Sequence, residues 1–342
     1  MPGQSVWSLP EPIPYFPPGS GRYEVSAGLR PLGTPAGGDY RDRLVFQFDS
    51  EFSRYRLAKL AARRECPGKY VARLPDQTDV CSAIALECAE IAAREWPHLF
   101  ERTGTTCGVR LDCRLTGERL AFTHTGHLLT QHTIASADPP YASSLDAVAC
   151  QLQEDLAILT HSEQSGSAVC GLHVCLPSDW EPRSKLGLSF NETHRPVPHF
   201  ERLARASETL SNALTYRVPQ VRFGWGLTSD DMLNRHPDRP VRPGYRSWDV
   251  ALAGSEPREA FYLRVERQAL VGFPTWNATL FTIRVGLLPG SCILADSAKS
   301  ERLARAVRSM SPESIAYKGL EQAREPLLAM LERAARHEQD GT

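Results

Sequence analysis

The sequence predicts an α+β fold, an antiparallel sheet with covering helices plus N-terminal and C-terminal helical extensions. Three observations predict it. Residues 221–228, 261–271 and 279–287 alternate polar and apolar side chains and follow one another as strands. A further strand, residues 168–176 (AVCGLHVCL), precedes them across short helical stretches. Apolar residues at helical spacing mark residues 51–64, 80–99 and 320–336.

Taken in order, residues 1–40 are rich in Pro and Gly and read as an extended arm, because Pro removes a backbone donor and fixes φ. Residues 51–64 carry Phe52, Tyr55, Leu57, Leu60 and Ala61 at near-helical spacing. Residues 80–99 place Ile84, Cys88, Ile91 and Ala92 on one face, with Asp79 as the expected N-cap. Two strands, 109–115 and 118–123, flank a Leu-Thr-Gly-Glu hairpin turn. Residues 145–160 lead into a buried strand. After 168–176, a short helix is expected over 182–190 and a longer one over 200–214. Residues 229–257, with several prolines and many charges, read as a long surface excursion. A strand, short helices and then three consecutive strands is the layout of a PAS core, in which helices cover an antiparallel sheet and leave room for a flat cofactor. The expected organisation is an N-terminal arm, helices and hairpin over 1–144, a PAS-like core over 145–320 and a C-terminal helix over 321–342.

Composition narrows the function. The 342 residues are 42% hydrophobic and carry a net charge of −1, which gives no reason to expect nucleic acid or an anionic membrane as partner. No run approaches the ~18 apolar residues that span a bilayer, and no basic segment precedes an apolar run at the N-terminus. The expected location is the cytoplasm. The nine cysteines form no CxxC pair, which disfavours a zinc ribbon or iron–sulfur motif, and no CxxCH, so any haem is expected to be noncovalent. The thiols are expected to be buried and reduced.

Five segments occur in one order: Cys175-Leu-Pro-Ser-Asp-Trp180; Lys185-Leu-Gly187 followed by His194-Arg-Pro-Val-Pro198; Arg222-Phe-Gly-Trp225; Leu263-Arg-Val-Glu-Arg-Gln268 with Phe281-Thr-Ile-Arg284; and Ala316-Tyr-Lys-Gly-Leu320. Together they resemble the haem-binding subunit of the haem-dependent oxidative N-demethylases, a PAS-fold family, over roughly residues 145–320. The resemblance implies a haem b pocket, dioxygen (or peroxide) as oxidant and an external reductase, since the chain carries no Gly-rich dinucleotide fingerprint of its own. It also implies a small amine or amino acid substrate.

His194 is the expected axial ligand, because PAS haem sensors place theirs on the helix before the last three strands. His199 and His173 are the alternatives, with a Cys175 thiolate behind them. Arg222 shares a strand face with Gly224, Gly226 and Thr228, opposite Val221, Phe223, Trp225 and Leu227. In PAS oxygen sensors an arginine on this strand donates hydrogen bonds to bound dioxygen, so Arg222 is assigned to cofactor and catalysis. Trp225 is placed with the cofactor, a core role remaining open. Tyr262, Arg264, Glu266 and Gln268 share a face of the next strand. Glu266 is expected to hold a cationic substrate, or else to pair with Arg264, Arg267 or Arg284, and Tyr262 and Gly224 to line the substrate space. Tyr317 and Lys318 are read as docking the C-terminal helix.

Family members tend to carry a polar residue, often Asn, at the position of Gly224. That departure widens the pocket and disfavours dimethylamine. A related haem protein of D-cycloserine biosynthesis hydroxylates the guanidine nitrogen of L-arginine, and this chain is similar to it in length and single-subunit character. The expected activity is therefore haem-dependent monooxygenation of a substrate nitrogen, with the L-arginine guanidine first and antibiotic biosynthesis as the setting. The alternatives are oxidative N-demethylation of a small secondary amine and a haem PAS gas sensor, the latter disfavoured because no output module is visible.

Overall fold

The computed structural model describes residues 8–34, 39–162, 166–201, 213–238, 244–253 and 260–336. Its strands are β1 (Arg30–Pro31), β2 (Val71–Arg73), β3 (Phe100–Thr105), β4 (Gly108–Cys113), β5 (Glu118–Phe122), β6 (Asp155–Ser162), β7 (Gly166–His173), β8 (Gln220–Thr228), β9 (Tyr262–Phe273) and β10 (Ala278–Pro289). The helices are α1 (Phe52–Glu65), α2 (Pro67–Tyr70), α3 (Thr78–Glu95), α4 (Ser144–Ala149), α5 (Phe190–His194), α6 (Trp248–Ala253), α7 (Gly290–Leu294), α8 (Ser297–Arg308), α9 (Pro312–Tyr317) and α10 (Arg324–Arg336). The fold is α+β.

Seven antiparallel strands form one sheet in the order β1-β8-β9-β10-β6-β7-β2, and β3-β4-β5 form a second. The five strands from β6 onward make a contiguous block. β6 and β7 come first in sequence, then the helical segment with α5, then β8, β9 and β10. The two N-terminal strands β1 and β2 extend its opposite edges.

Alternation along the strands decides which side chains meet the core. On one face, Leu227, Leu263 and Val265 pack against Leu303 and Val307 of α8 and Leu327 and Leu331 of α10. Farther along, Leu156, Ile158, Ala269 and Leu280 meet Ile84 and Cys88 of α3 together with Phe46, Phe48 and Trp96. Arg267 is fully buried there. It donates to the carbonyls of Asp42, Leu44 and Val45, at 2.6 Å for Leu44, and so ties the N-terminal segment to the sheet. Arg284 does the same through Asp49, at 2.5 Å, with its guanidinium over the Tyr55 ring.

Several expectations are corrected. Asp79 lies in the first turn of α3; Gln77 is the N-cap and makes no side-chain cap bond. The single helix expected over 182–190 is a 3-10 turn, Arg183–Lys185, and then α5. Gly187 separates them with φ +80°, a left-handed conformation that interrupts a helix. Ser189 opens α5 with a reciprocal capping box to Glu192. Residues 229–236 are not a surface excursion. Ser229, Asp230, Met232, Leu233, Asn234 and His236 are buried, and the Met232 and Leu233 carbonyls each accept from Arg264 at 3.0 Å. The long-range bonds of one arginine pull a polar, Pro-flanked stretch inward. α8 is a helix that periodicity did not flag; Asp296 caps it by accepting from the Lys299 amide. Most of the helix expected over 200–214 lies outside the described residues.

Candidate functional site

The face of β8 and β9 turned away from the C-terminal helices carries the unusual chemistry. Register sets Arg222 beside Gln268, Gly224 beside Glu266, Gly226 beside Arg264 and Thr228 beside Tyr262. A Cβ placed on Gly224 would meet nothing nearer than 3.9 Å, and one on Gly226 nothing nearer than 3.8 Å, so the strand surface next to Arg222 is open. Above it runs the segment with α5, tied to β7 by Gly187 N–H to Val169 O (2.8 Å) and Val169 N–H to Leu188 O (2.9 Å).

Arg222 is half-buried, and its Nε has no hydrogen-bond partner among the described residues. Burial pushes the guanidinium down from its ordinary value, and the charge of Glu266 opposes that. An orphaned buried N–H costs about 1–3 kcal/mol, a cost that an acceptor held in the open space would relieve.

Glu266 Oε1 accepts from Ser178 Oγ at 2.5 Å and Oε2 from Gln268 Nε2 at 2.9 Å. The ion pair with Arg264, Arg267 or Arg284 does not form. Arg264 instead donates to Ser178 Oγ (2.6 Å) and to the carbonyls of Leu176, Met232 and Leu233, while Arg267 and Arg284 serve the opposite face. Glu266 thus keeps a carboxylate with hydrogen bonds but no salt bridge among the described residues. Ser178 was missed in the sequence although it lies inside the Leu-Pro-Ser-Asp-Trp motif. It couples Arg264 to Glu266.

His194 closes α5. Its Nδ1 bonds the Phe190 carbonyl at 2.8 Å, which makes Nδ1 the protonated nitrogen and leaves Nε2 as a lone-pair donor. The ring packs in a three-ring cluster with Phe190, at 4.2 Å between centroids, and Phe200, at 5.5 Å, which are 6.2 Å from each other. Burial, reinforced by Arg222 and Lys185, lowers its pKa to about 4 although the Phe190 bond acts the other way, so the imidazole is neutral at pH 7.

The other expected residues fall elsewhere. His199, with φ +65°, bonds Ser311 Oγ at 2.9 Å through Nε2. His173 is fully buried against Asp146, Cys150 and Cys175. Trp225 lies on the strand face opposite Arg222, edge-on to Tyr23 at 5.6 Å. Tyr262 is half-buried beside Thr228. Lys318 donates to the Trp225 carbonyl at 2.7 Å, which docks the C-terminal segment on the free edge of β8. Burial lowers its pKa to about 8, against the pull of Glu266. Tyr317 next to it is raised by burial and by the same carboxylate.

The residues in this region are thus a neutral imidazole, a cation with an Nε donor unmet among the described residues, and a carboxylate that makes no salt bridge among them although the charges of Arg222, Arg264 and Lys318 act on it. No helix among the described residues is long and apolar enough to cross a membrane. The sequence model of one family, described as haem-dependent oxidative N-demethylase, alpha subunit-like, matches residues 40–328. That span reaches well beyond the five segments, into the N-terminal helices, and the chain belongs to this family of haem-dependent oxidative enzymes.

Proposed function

We propose that the protein binds haem b noncovalently on the Arg222–Glu266 face and oxidises a nitrogen of a small cationic substrate, with an external reductase as electron source. The residues fit the cofactor. His194 offers a neutral Nε2 with no protein partner among the described residues, as an imidazole that would hold the iron requires. Two glycines leave the facing strand open to a flat ring. The strand order also agrees with a PAS-like core, with two strands, a helical segment and three strands in one antiparallel block.

When bound, haem would supply the activation of dioxygen and the oxidation of substrate. The chain's own residues do the rest. His194 would hold the iron from α5, and the Phe190 carbonyl on Nδ1 fixes the ring's tautomer and orientation. Arg222 presents an unmet N–H to an acceptor between strand and helix, a donor already aimed before the reaction begins. Glu266, held by Ser178 and Gln268, receives the substrate cation and positions its nitrogen. Lys318 and Tyr317 flank the carboxylate.

The observation that carries this reading is Glu266, with no ion pair among the described residues, beside an open Gly224. A carboxylate so placed selects a cation, and the open glycine admits more than a dimethylated amine. The substrate class proposed is a basic amino acid, L-arginine first, hydroxylated at the guanidine, in the manner of the related enzyme of D-cycloserine biosynthesis. The family description favours the second reading, oxidative N-demethylation of a small amine. Spectral titration of the haem protein with arginine and with methylated amines separates them. Arginine should perturb the spectrum, and Glu266→Gln should weaken its binding by about one to two decades, since a charge-assisted hydrogen bond contributes about 1.5–3 kcal/mol. Formaldehyde release from a methylated amine with no response to arginine would return the protein to N-demethylation.

A further inference from the structure

Lys318 does more than dock the C-terminal segment, because its ammonium reaches the open strand face. Its Nζ stands 3.8 Å from where a Cβ on Gly226 would lie, and nothing else comes within 4 Å of that point. Gly226 shares this face with Arg222 and Gly224, and its register partner is Arg264. Three contacts set the ammonium in place. It donates to the Trp225 carbonyl at 2.7 Å, and it lies 5.2 Å from the Tyr23 ring centroid and 5.9 Å from that of Trp225. Among the described residues it makes no other hydrogen bond and no salt bridge. An ammonium has three N–H donors, so most of its donor capacity is left for an acceptor in the open space. The side chain is half-buried. Burial pulls its pKa down to about 8 against the charge of Glu266, as for an ammonium short of water.

The charge of this face points to the kind of acceptor. Arg222, Arg264 and Lys318 all act on the one carboxylate of Glu266. Arg264 gives its donors to Ser178 and to backbone carbonyls, which carry no charge. A substrate with positive charge alone would reach Glu266 against repulsion from these neighbours. A substrate that also carries a carboxylate would offset it. The spacing suits such a molecule. Glu266 pairs with Gly224 in register, and Lys318 stands beside Gly226, two residues farther along β8, roughly 7 Å at the rise of a strand. A basic amino acid laid along the strand separates its side-chain cation from its carboxylate by a similar length.

We propose that Lys318 is a specificity-determining residue that receives the carboxylate of an amino acid substrate whose cationic side chain lies on Glu266. The proposal rests on the cation-binding role given to Glu266 under the proposed function and deepens it. The site selects an amino acid over an amine with the same side chain. Lys318 keeps its proton throughout and acts by positioning the substrate.

Titration of the haem-loaded full chain with L-arginine and with agmatine, its decarboxylated counterpart, tests this by calorimetry and by the haem spectrum. Arginine should bind about tenfold or more tighter, the factor that one charge-assisted hydrogen bond supplies. Lys318→Met should bring arginine down to the level of agmatine without weakening agmatine. Lys318→Arg, which keeps the charge, should retain part of the preference. Equal binding of the two ligands by the wild-type protein would overturn the proposal and leave Glu266 as the cation site, and that result needs no variant to fold. A Lys318→Met protein that keeps the preference would overturn it too; weakened haem uptake in that variant would then assign the ammonium to a haem propionate. If neither ligand binds, the cation-binding reading of Glu266 falls and the proposal falls with it.

Discussion

His194 shows how a single side chain is prepared by its surroundings. Phe190 supplies both the carbonyl that fixes the tautomer and a ring contact, and Phe200 supplies a second ring contact beside it. The result is a histidine that resists protonation down to about pH 4. The consequence for stability has a definite sign. Below about 6.5 the unfolded chain takes up a proton that the folded His194 refuses, so stability is full above that pH and declines as pH falls toward 4, by at most about 1.4 kcal/mol per unit. Urea unfolding of haem-free protein at pH 7 and pH 5 should show a lower midpoint at pH 5, and His194→Gln should lose part of that difference. An identical pH response in the variant would place the titrating group elsewhere. The neighbour His199 illustrates what a motif leaves out. Both histidines sit in the stretch His194-Arg-Pro-Val-Pro-His199, yet a left-handed backbone sends His199 to Ser311. Backbone hand after a Pro-x-Pro turn is not written in the side chains.

At the scale of elements, alternation was the most informative signal. It separated Arg222, Gly224 and Gly226 from Val221, Phe223, Trp225 and Leu227, and the register between β8 and β9 keeps that division. The same alternation puts Trp225, placed with the cofactor from the sequence with a core role open, on the face that meets Tyr23. Residues 229–236 were misread for a different reason. Their polarity matches a surface loop, and only the bonds from Arg264, a strand away, explain their burial. Helix α8 escaped because its short apolar stripe, Leu303, Ala304 and Val307, is interleaved with arginines. That stripe and α10 close over Leu263, which is fully buried. Leu263→Ala should cost about 2–5 kcal/mol in urea unfolding, while the absorption of any bound haem, on the other face, stays unchanged. A haem spectrum that shifts with Leu263→Ala would contradict the separation of the two faces.

For the whole molecule, the sheet divides labour between its faces. One is filled by helices from both ends of the chain; the other packs Val285 against Tyr55 and Leu176, and Leu172 against Leu159 and Leu186, and is polar and partly open at β8 and β9. The N-terminal segment is bound into this plan by Arg267 and Arg284 and by β1 and β2 at the edges, which agrees with a family match that begins at residue 40. The central claim is that His194 ligates haem across from Arg222 and Glu266. Haem titration of the purified apoprotein, followed by its Soret absorption, tests it most directly. The wild-type chain should take up one equivalent with the spectrum of an imidazole-ligated haem, and His194→Ala should bind far more weakly or show altered ligation that added imidazole restores. Uptake of one equivalent by His194→Ala with an unchanged spectrum would contradict the account.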